Sequence, residues 1–291
     1  AFFLDDKFRV TSWLTLTAGM RPTHFSGGVS ESAISPRFGA ALVVPRLHWV
    51  VRGFYGHYYQ APPLLTVSGP LLDFVNSQNL AFVALHGERD EEHQFGITIP
   101  IRGWTIDADN FRTSATNFFD HNNVGESNIF FPITIAHAVI RGWETTLRSP
   151  QIAHHGQVHL AYSNQIAEGA LPITGGLTDF SPPSPLFLLD HDQRNTLNVG
   201  GDLTLPWRSF ASTNVYYGSG FTDAGGPAHL PQHTTFDLSL GKDFGEEYSV
   251  SLNALNVANR HLLLDNSLTF GGFHWNNPRE IYVEFRYRFH Y

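Results

Sequence analysis

The closing run Ile281-Tyr282-Val283-Glu284-Phe285-Arg286-Tyr287-Arg288-Phe289-His290-Tyr291 alternates without a break. Ile281, Val283, Phe285, Tyr287, Phe289 and Tyr291 share one parity, and Tyr282, Glu284, Arg286, Arg288 and His290 share the other. Side chains of a strand point alternately to its two faces, so a period of two predicts a β-strand. One face is wholly apolar and the other carries a carboxylate, two guanidiniums and an imidazole, so the strand separates two different environments. In a soluble sandwich the polar face would meet solvent; in a membrane barrel it would meet the lumen.

The rest of the chain has the composition of a β protein. Among its 291 residues are 24 Phe, 10 Tyr and 6 Trp, set beside many Gly, Thr, Ser and Asn, residue types that suit pleated, half-buried surfaces. No stretch approaches the ~18 uninterrupted apolar residues of a membrane helix. A net charge of -8 with 15% charged residues leaves no basic footprint for nucleic acid, and the absence of Cys excludes disulfides and thiolate metal sites. The chain opens at Ala1 without an initiator Met or leader, which reads as a fragment of something longer.

Working back from the end, Tyr248, Val250, Leu252 and Ala254 oppose Ser249, Ser251 and Asn253, and Phe236, Leu238 and Leu240 oppose Thr235, Asp237 and Ser239. Similar segments at 1–10, 14–24, 33–44, 49–59, 91–101, 104–114, 137–148, 156–167, 192–204 and 210–219 bring the count to about 13 strands in one domain. Their connections alternate in length. Tight turns fall at Thr11–Trp13, Pro45–His48, Arg102–Gly103, Ser149–His155, Pro206–Ser209 and Gly245–Glu247, and long connections at 25–32, 60–90, 115–136, 168–191, 220–233 and 257–278. Long loops at one end and short turns at the other is the layout of a transmembrane antiparallel barrel, with the carboxy terminus on the short-turn, periplasmic side. Since such barrels close with an even number of strands, an odd count predicts that at least one strand is missing.

Several motifs resemble those of the TonB-dependent outer-membrane receptor family. The terminal run ending on an aromatic resembles the signal by which outer-membrane barrels are recognised for insertion. Leu252-Asn253-Ala254-Leu255-Asn256-Val257-Ala258-Asn259 is similar to the family's Asn-rich penultimate strand, Ile140-Arg141-Gly142-Trp143-Glu144 to its Gly-x-Glu strand, and Tyr55-Gly56-His57-Tyr58-Tyr59-Gln60-Ala61-Pro62 to its aromatic-x-Ala-Pro segment. The resemblance implies a 22-stranded barrel plugged by a separate amino-terminal domain, of which this chain supplies the carboxy-terminal ~13 strands. The plug and the TonB-contacting segment are then missing from it.

By parity, Arg52, Glu144, Arg148, Asp237, Asn253, Glu284, Arg286 and Arg288 point inward, where they would hold the plug through exchangeable charged hydrogen bonds; a solvated lumen wall is the plainer alternative. Tyr58, Tyr59, His86, Asn122, Asn123, Asp190, His191 and Trp275 are the candidate ligand residues of the outer loops. Phe118, Phe119, Phe130 and Phe131 serve equally well as an aromatic girdle. The 16 His show no helical metal spacing, and no metal or cofactor is expected. Tyr59-Gln60-Ala61-Pro62 departs from the Phe-Arg-Ala-Pro of haem receptors, and no Asn-Pro-Asn-Leu box follows. Gly218-Ser219-Gly220 lacks the frame of a nucleophile elbow, so no catalytic role is expected. The leading expectation is an active-transport receptor in the outer-membrane lipid, importing an iron-siderophore complex with energy from TonB. The alternatives are import of a carbohydrate or cobalamin, an outer-membrane barrel enzyme, and a soluble sandwich.

Overall fold

A computed structural model describes residues 1–78, 82–124, 129–153, 155–177, 184–267 and 272–289. His290 and Tyr291, the last positions of the terminal alternation, lie outside the described residues.

The strands are β1 (Leu4–Arg9), β2 (Leu14–Ser26), β3 (Ser30–Val44), β4 (Trp49–Gln60), β5 (Phe82–Val83), β6 (Glu88–Ile101), β7 (Trp104–Asn123), β8 (Phe130–Arg148), β9 (Gly156–Leu177), β10 (Leu186–Leu188), β11 (Asn195–Leu205), β12 (Ser209–Gly218), β13 (His233–Phe244), β14 (Tyr248–Leu255), β15 (Leu263–Asp265), β16 (His274–Trp275) and β17 (Glu280–Tyr287). One antiparallel sheet runs β1-β2-β3-β4-β6-β7-β8-β9-β11-β12-β13-β14-β17, so every wall strand pairs with its neighbours in the chain. That path has the expected number of strands. The remaining short strands decorate the long connections: β5 and β10 pair with β9, and β15 with β16.

Register carries the parity reading across the whole wall, because residues paired across a ladder share a face. Glu284 pairs with Ser251 and Arg286 with Ser249; Asn253 pairs with Ser239, Asn214 with Asp237, Arg148 with His159, Glu144 with Asp109, and Arg52 with Gly96. Followed strand by strand, these pairs lie on one polar face. The opposite face holds Leu16, Phe38, Phe95, Val199, Leu240, Leu252, Val283 and Phe285, all exposed. A soluble domain does not leave so large an apolar surface uncovered, whereas lipid covers it in a barrel.

The belt ends before the strands do. β7 has 20 residues and β9 has 22, about twice the ~9–11 that a tilted strand needs to cross a membrane. On the apolar face Phe95 is followed towards the long-loop end by His93, which pairs with Arg112, and Arg112 pairs with Arg141. Arg141 in turn reaches Glu168 at 3.2 Å. Charge replaces hydrocarbon there because the strands have left the membrane.

These long strands correct the loop boundaries. Residues 115–123 and 130–136 are strand, the first part of 168–191 extends β9, and the expected loop at 25–32 shrinks to a turn between Ser26 and Ser30. Polar sequence such as Asp120-His121-Asn122 reads as loop, yet continuous pairing with β8 holds it as strand. The connection 60–90 contains helix α1 (Pro70–Ser77), which begins with Pro in its first turn. Val75 of α1 packs with Leu85, Val124, Phe131, Ile133 and Leu177, all buried, in a dry cluster above the belt. The best-buried core of the chain therefore lies outside the membrane zone.

Candidate ligand site at the long-loop end

On the polar face at the long-loop end, Tyr216 at the end of β12 and His233 at the start of β13 stand beside Phe221 of the intervening loop. The Tyr216 and His233 rings are 5.7 Å apart, and the Phe221 ring stacks on His233 at 5.6 Å with 24° between planes. Trp275 comes from β16 and Glu280 opens β17; with Asp237 and the apolar side chains of Leu255, Leu262, Leu264 and Pro278 they line a cavity of about 420 Å3. No Lys or Arg lines it. Gly218 makes the ring stack possible: a Cβ there would meet the His233 ring nitrogen Nε2 at 2.5 Å.

Hydrogen bonds set the polar groups. Gln193 donates to the Tyr216 hydroxyl at 2.7 Å. One oxygen of Asp237 accepts the amide of Asn256 at 2.8 Å. His233 is buried, and burial pushes its pKa down, leaving the ring uncharged at neutral pH. Asn256 and Asn276 are spent on the backbone: the Asn256 amide donates to the carbonyls of Arg260 and Asn277, and the Asn276 side-chain oxygen accepts from Leu262. Asn259 Oδ1 likewise accepts from Arg279 N at 2.8 Å. The Asn-rich motif thus ties the base of the loop that carries Trp275.

Three connections are knitted together behind the pocket. Asp192, fully buried, accepts from Ala167 N at 2.7 Å and lies 3.2 Å from His229. His191 lies 3.2 Å from the buried carboxylate of Asp265. Asn266 donates to Asp223 at 2.6 Å and accepts from Ala224 N at 2.8 Å.

Of the ligand residues expected from the sequence, Trp275 lines this pocket, and His191 adjoins it, its ring centre 6.0 Å from that of Phe221 in an edge-to-face contact. The others stand elsewhere. Tyr58 is on the polar face opposite Asp90. Tyr59 is on the opposite face; its hydroxyl donates to Glu31, which also takes His86 at 2.6 Å and the Gly87 amide at 3.0 Å. Those three bonds outweigh the burial of Glu31 and hold its carboxyl below the ordinary range. Tyr59 and His86 therefore fasten a loop. Asn122 pairs with Phe131 and Asn123 with Phe130 at the tip of the β7–β8 hairpin; the side chain of Asn123 lies outside the described residues. Asp190 lies near Asp120, whose carboxyl is pushed up to about 7, first by burial and then by the Asp190 charge.

Tyr216, Phe221 and Glu280 were absent from the expected set. A signal existed for Tyr216: it shares the parity of Ser212 and Asn214, and an aromatic on an otherwise polar face is out of place unless something stacks there.

The eight inward residues differ in how far the wall satisfies them. Arg52 is held by Asp107 and Asp109 and donates to Thr98 at 2.7 Å. Asn253 bonds Ser239 at 2.7 Å and Ser251 at 3.0 Å, and Arg286 bonds Glu284 at 2.8 Å. Arg288 is tied only through its backbone amide, which donates to the Glu247 carbonyl; among the described residues its exposed guanidinium makes no polar contact. Among the described residues, Glu144 and Arg148 make no side-chain polar contact and are exposed on the polar face.

Comparison with known proteins agrees with this architecture. Residues 1–257 match the family described as TonB dependent receptor-like, beta-barrel. A search of curated proteins finds no match. Among solved structures, a ferric enterobactin receptor mutant from Pseudomonas aeruginosa superposes with a TM-score of 0.72 at 16% identity, over 99% of this chain and 44% of that one. A siderophore receptor from the same organism gives 0.67 at 17%, over 98% and 45%. A copper transporter gives 0.70 at 10%, over 99% and 47%. These likenesses concern the fold, and the chain spans less than half the length of each. With its antiparallel wall, its apolar belt and the match over residues 1–257, the chain belongs to the TonB-dependent receptor family, as a part of its β-barrel.

Proposed function

We propose that residues 1–291 are the carboxy-terminal portion of the barrel domain of an outer-membrane active-transport receptor, with the short turns on the periplasmic side. Its cargo in this reading is an iron-siderophore complex, bound in the long-loop vestibule and released inward when TonB pulls on a plug domain. The observation that carries the reading is the aromatic pocket, which opens on the lumen face at the long-loop end. Relatives of this fold are named as receptors for ferric enterobactin and for siderophores. Glu144, Arg148 and the Arg288 guanidinium are the inward charges that, among the described residues, are free to contact a plug, and Arg52, Asn253, Glu284 and Arg286 brace the wall.

The test is uptake of radiolabelled iron chelates by cells in which the gene carrying this segment is deleted and restored, with and without functional TonB. The reading predicts uptake that needs both. Uptake that persists without TonB would contradict it, and TonB-dependent uptake of an iron-free sugar or corrin in place of iron would move the cargo to those classes.

A further inference from the structure

The pocket at the mouth of the lumen has a charge signature that narrows the cargo. Its walls include the Tyr216, Phe221, His233 and Trp275 rings, set among Leu255, Leu262, Leu264 and Pro278, and its charged groups are the carboxylates of Asp237 and Glu280. The nearest guanidinium by sequence, that of Arg279, reaches for the Val257 carbonyl at 3.5 Å and does not line the cavity. Among the described residues, only one oxygen of Asp237 is engaged, by the Asn256 backbone amide. Aromatic faces present negative π density, and with two carboxylates and no compensating cation they form a site that attracts positive charge and repels negative charge.

Iron chelates differ sharply in charge. Three catecholates, each a dianion, leave a ferric complex at minus three; three hydroxamates, each a monoanion, leave it neutral, and a pendant ammonium makes it a cation. On the reading that the cargo is an iron-siderophore complex, we infer that this pocket selects a neutral or cationic hydroxamate-type chelate, with an ammonium or apolar arm between the rings and the carboxylates, over a trianionic catecholate. The inference deepens that reading and rests on it.

Equilibrium binding to the detergent-purified receptor carrying this segment, followed by tryptophan quenching, tests it with three ferric probes: a tris-hydroxamate bearing a free ammonium, a neutral tris-hydroxamate and a tris-catecholate. The ammonium chelate is expected to bind at least ~tenfold more tightly than the tris-catecholate. Glu280→Gln should cost the ammonium chelate ~tenfold, the scale of a lost charge-assisted contact, while leaving the neutral chelate within ~twofold. Asp237→Asn keeps an acceptor for Asn256, so it removes charge without removing the loop tie and should act in the same direction. Tighter binding of the tris-catecholate, or no response of the ammonium chelate to either variant, would overturn the charge selection while leaving the iron-siderophore reading standing. Failure of all three chelates to bind would overturn that reading, and this inference with it.

Discussion

Asn256 and Arg260 clasp each other: the Asn256 side-chain oxygen accepts the Arg260 amide at 2.9 Å, and its side-chain nitrogen donates to the Arg260 carbonyl at 2.9 Å. A third bond, to the Asn277 carbonyl at 3.1 Å, draws the far end of the loop to the same side chain. Asn256 is buried and sits at φ 46°, a left-handed conformation that Asn tolerates better than most residues. Asn256→Ala should therefore cost roughly 1–3 kcal/mol locally and free the loop bearing Trp275. Hydrogen exchange at Arg260 and Leu262 should rise while exchange in β14 stays slow. Unchanged exchange at Arg260 would show that the clasp contributes nothing.

The dry cluster above the belt gives a second outcome. Phe131 is fully buried among Val75, Leu85 and Leu177, and truncation to Ala typically costs about 3–5 kcal/mol at such a site. Because the cluster lies beyond the membrane zone, Phe131→Ala should loosen α1 and the β7–β8 hairpin without reducing barrel insertion. Limited proteolysis within α1, combined with heat-dependent gel mobility, reads the two effects separately.

The Asp120 carboxyl yields a pH dependence. Its pKa, raised to about 7 from an ordinary 3.8, means that the folded hairpin holds the proton more tightly than the opened one. Stability from this group is fully present below pH about 4 and falls as pH rises to about 7. Protection of the His121 amide, which donates to Asp120, measured relative to the intrinsic exchange rate at each pH, should fall across that window, and Asp120→Asn should abolish the fall. A pH-independent protection factor at His121 in the unsubstituted receptor would contradict it.

For the wall charges, exchanging Glu284 with Arg286 preserves their mutual pair and should leave antibiotic exclusion intact. Reversing Glu144 and Arg148, which have no partners among the described residues of the wall, should admit large antibiotics if they contact a plug. Equal leakage from the two double variants would argue against that division.

Much of this was legible in the sequence because side-chain parity is a local property. Ile281 to Phe289 announce two faces by alternation alone, and register then propagates those faces from Glu284 to Arg52. Loop ends were harder. Asp120, His121 and Asn122 have turn-like composition, and their strand state depends on pairing with Phe130 to Pro132, a tertiary fact. The pocket was harder still, since Tyr216, Phe221, His233 and Trp275 come from separate segments that meet only when buried Asp–His pairs draw the connections together. Trp275 stood out by being an aromatic in a loop; Glu280 carried no such mark.

One face of this wall meets lipid and the other an aqueous lumen. The chain itself brings no Cys, so in a receptor otherwise freed of Cys, single Cys variants from Ile281 to Tyr287 each carry one nitroxide after reconstitution in bilayers. Collision with oxygen should peak at 281, 283, 285 and 287, and collision with a water-soluble nickel chelate at 282, 284 and 286. Nickel access at every position, or the opposite phase, would contradict a membrane-spanning wall with its polar face inward.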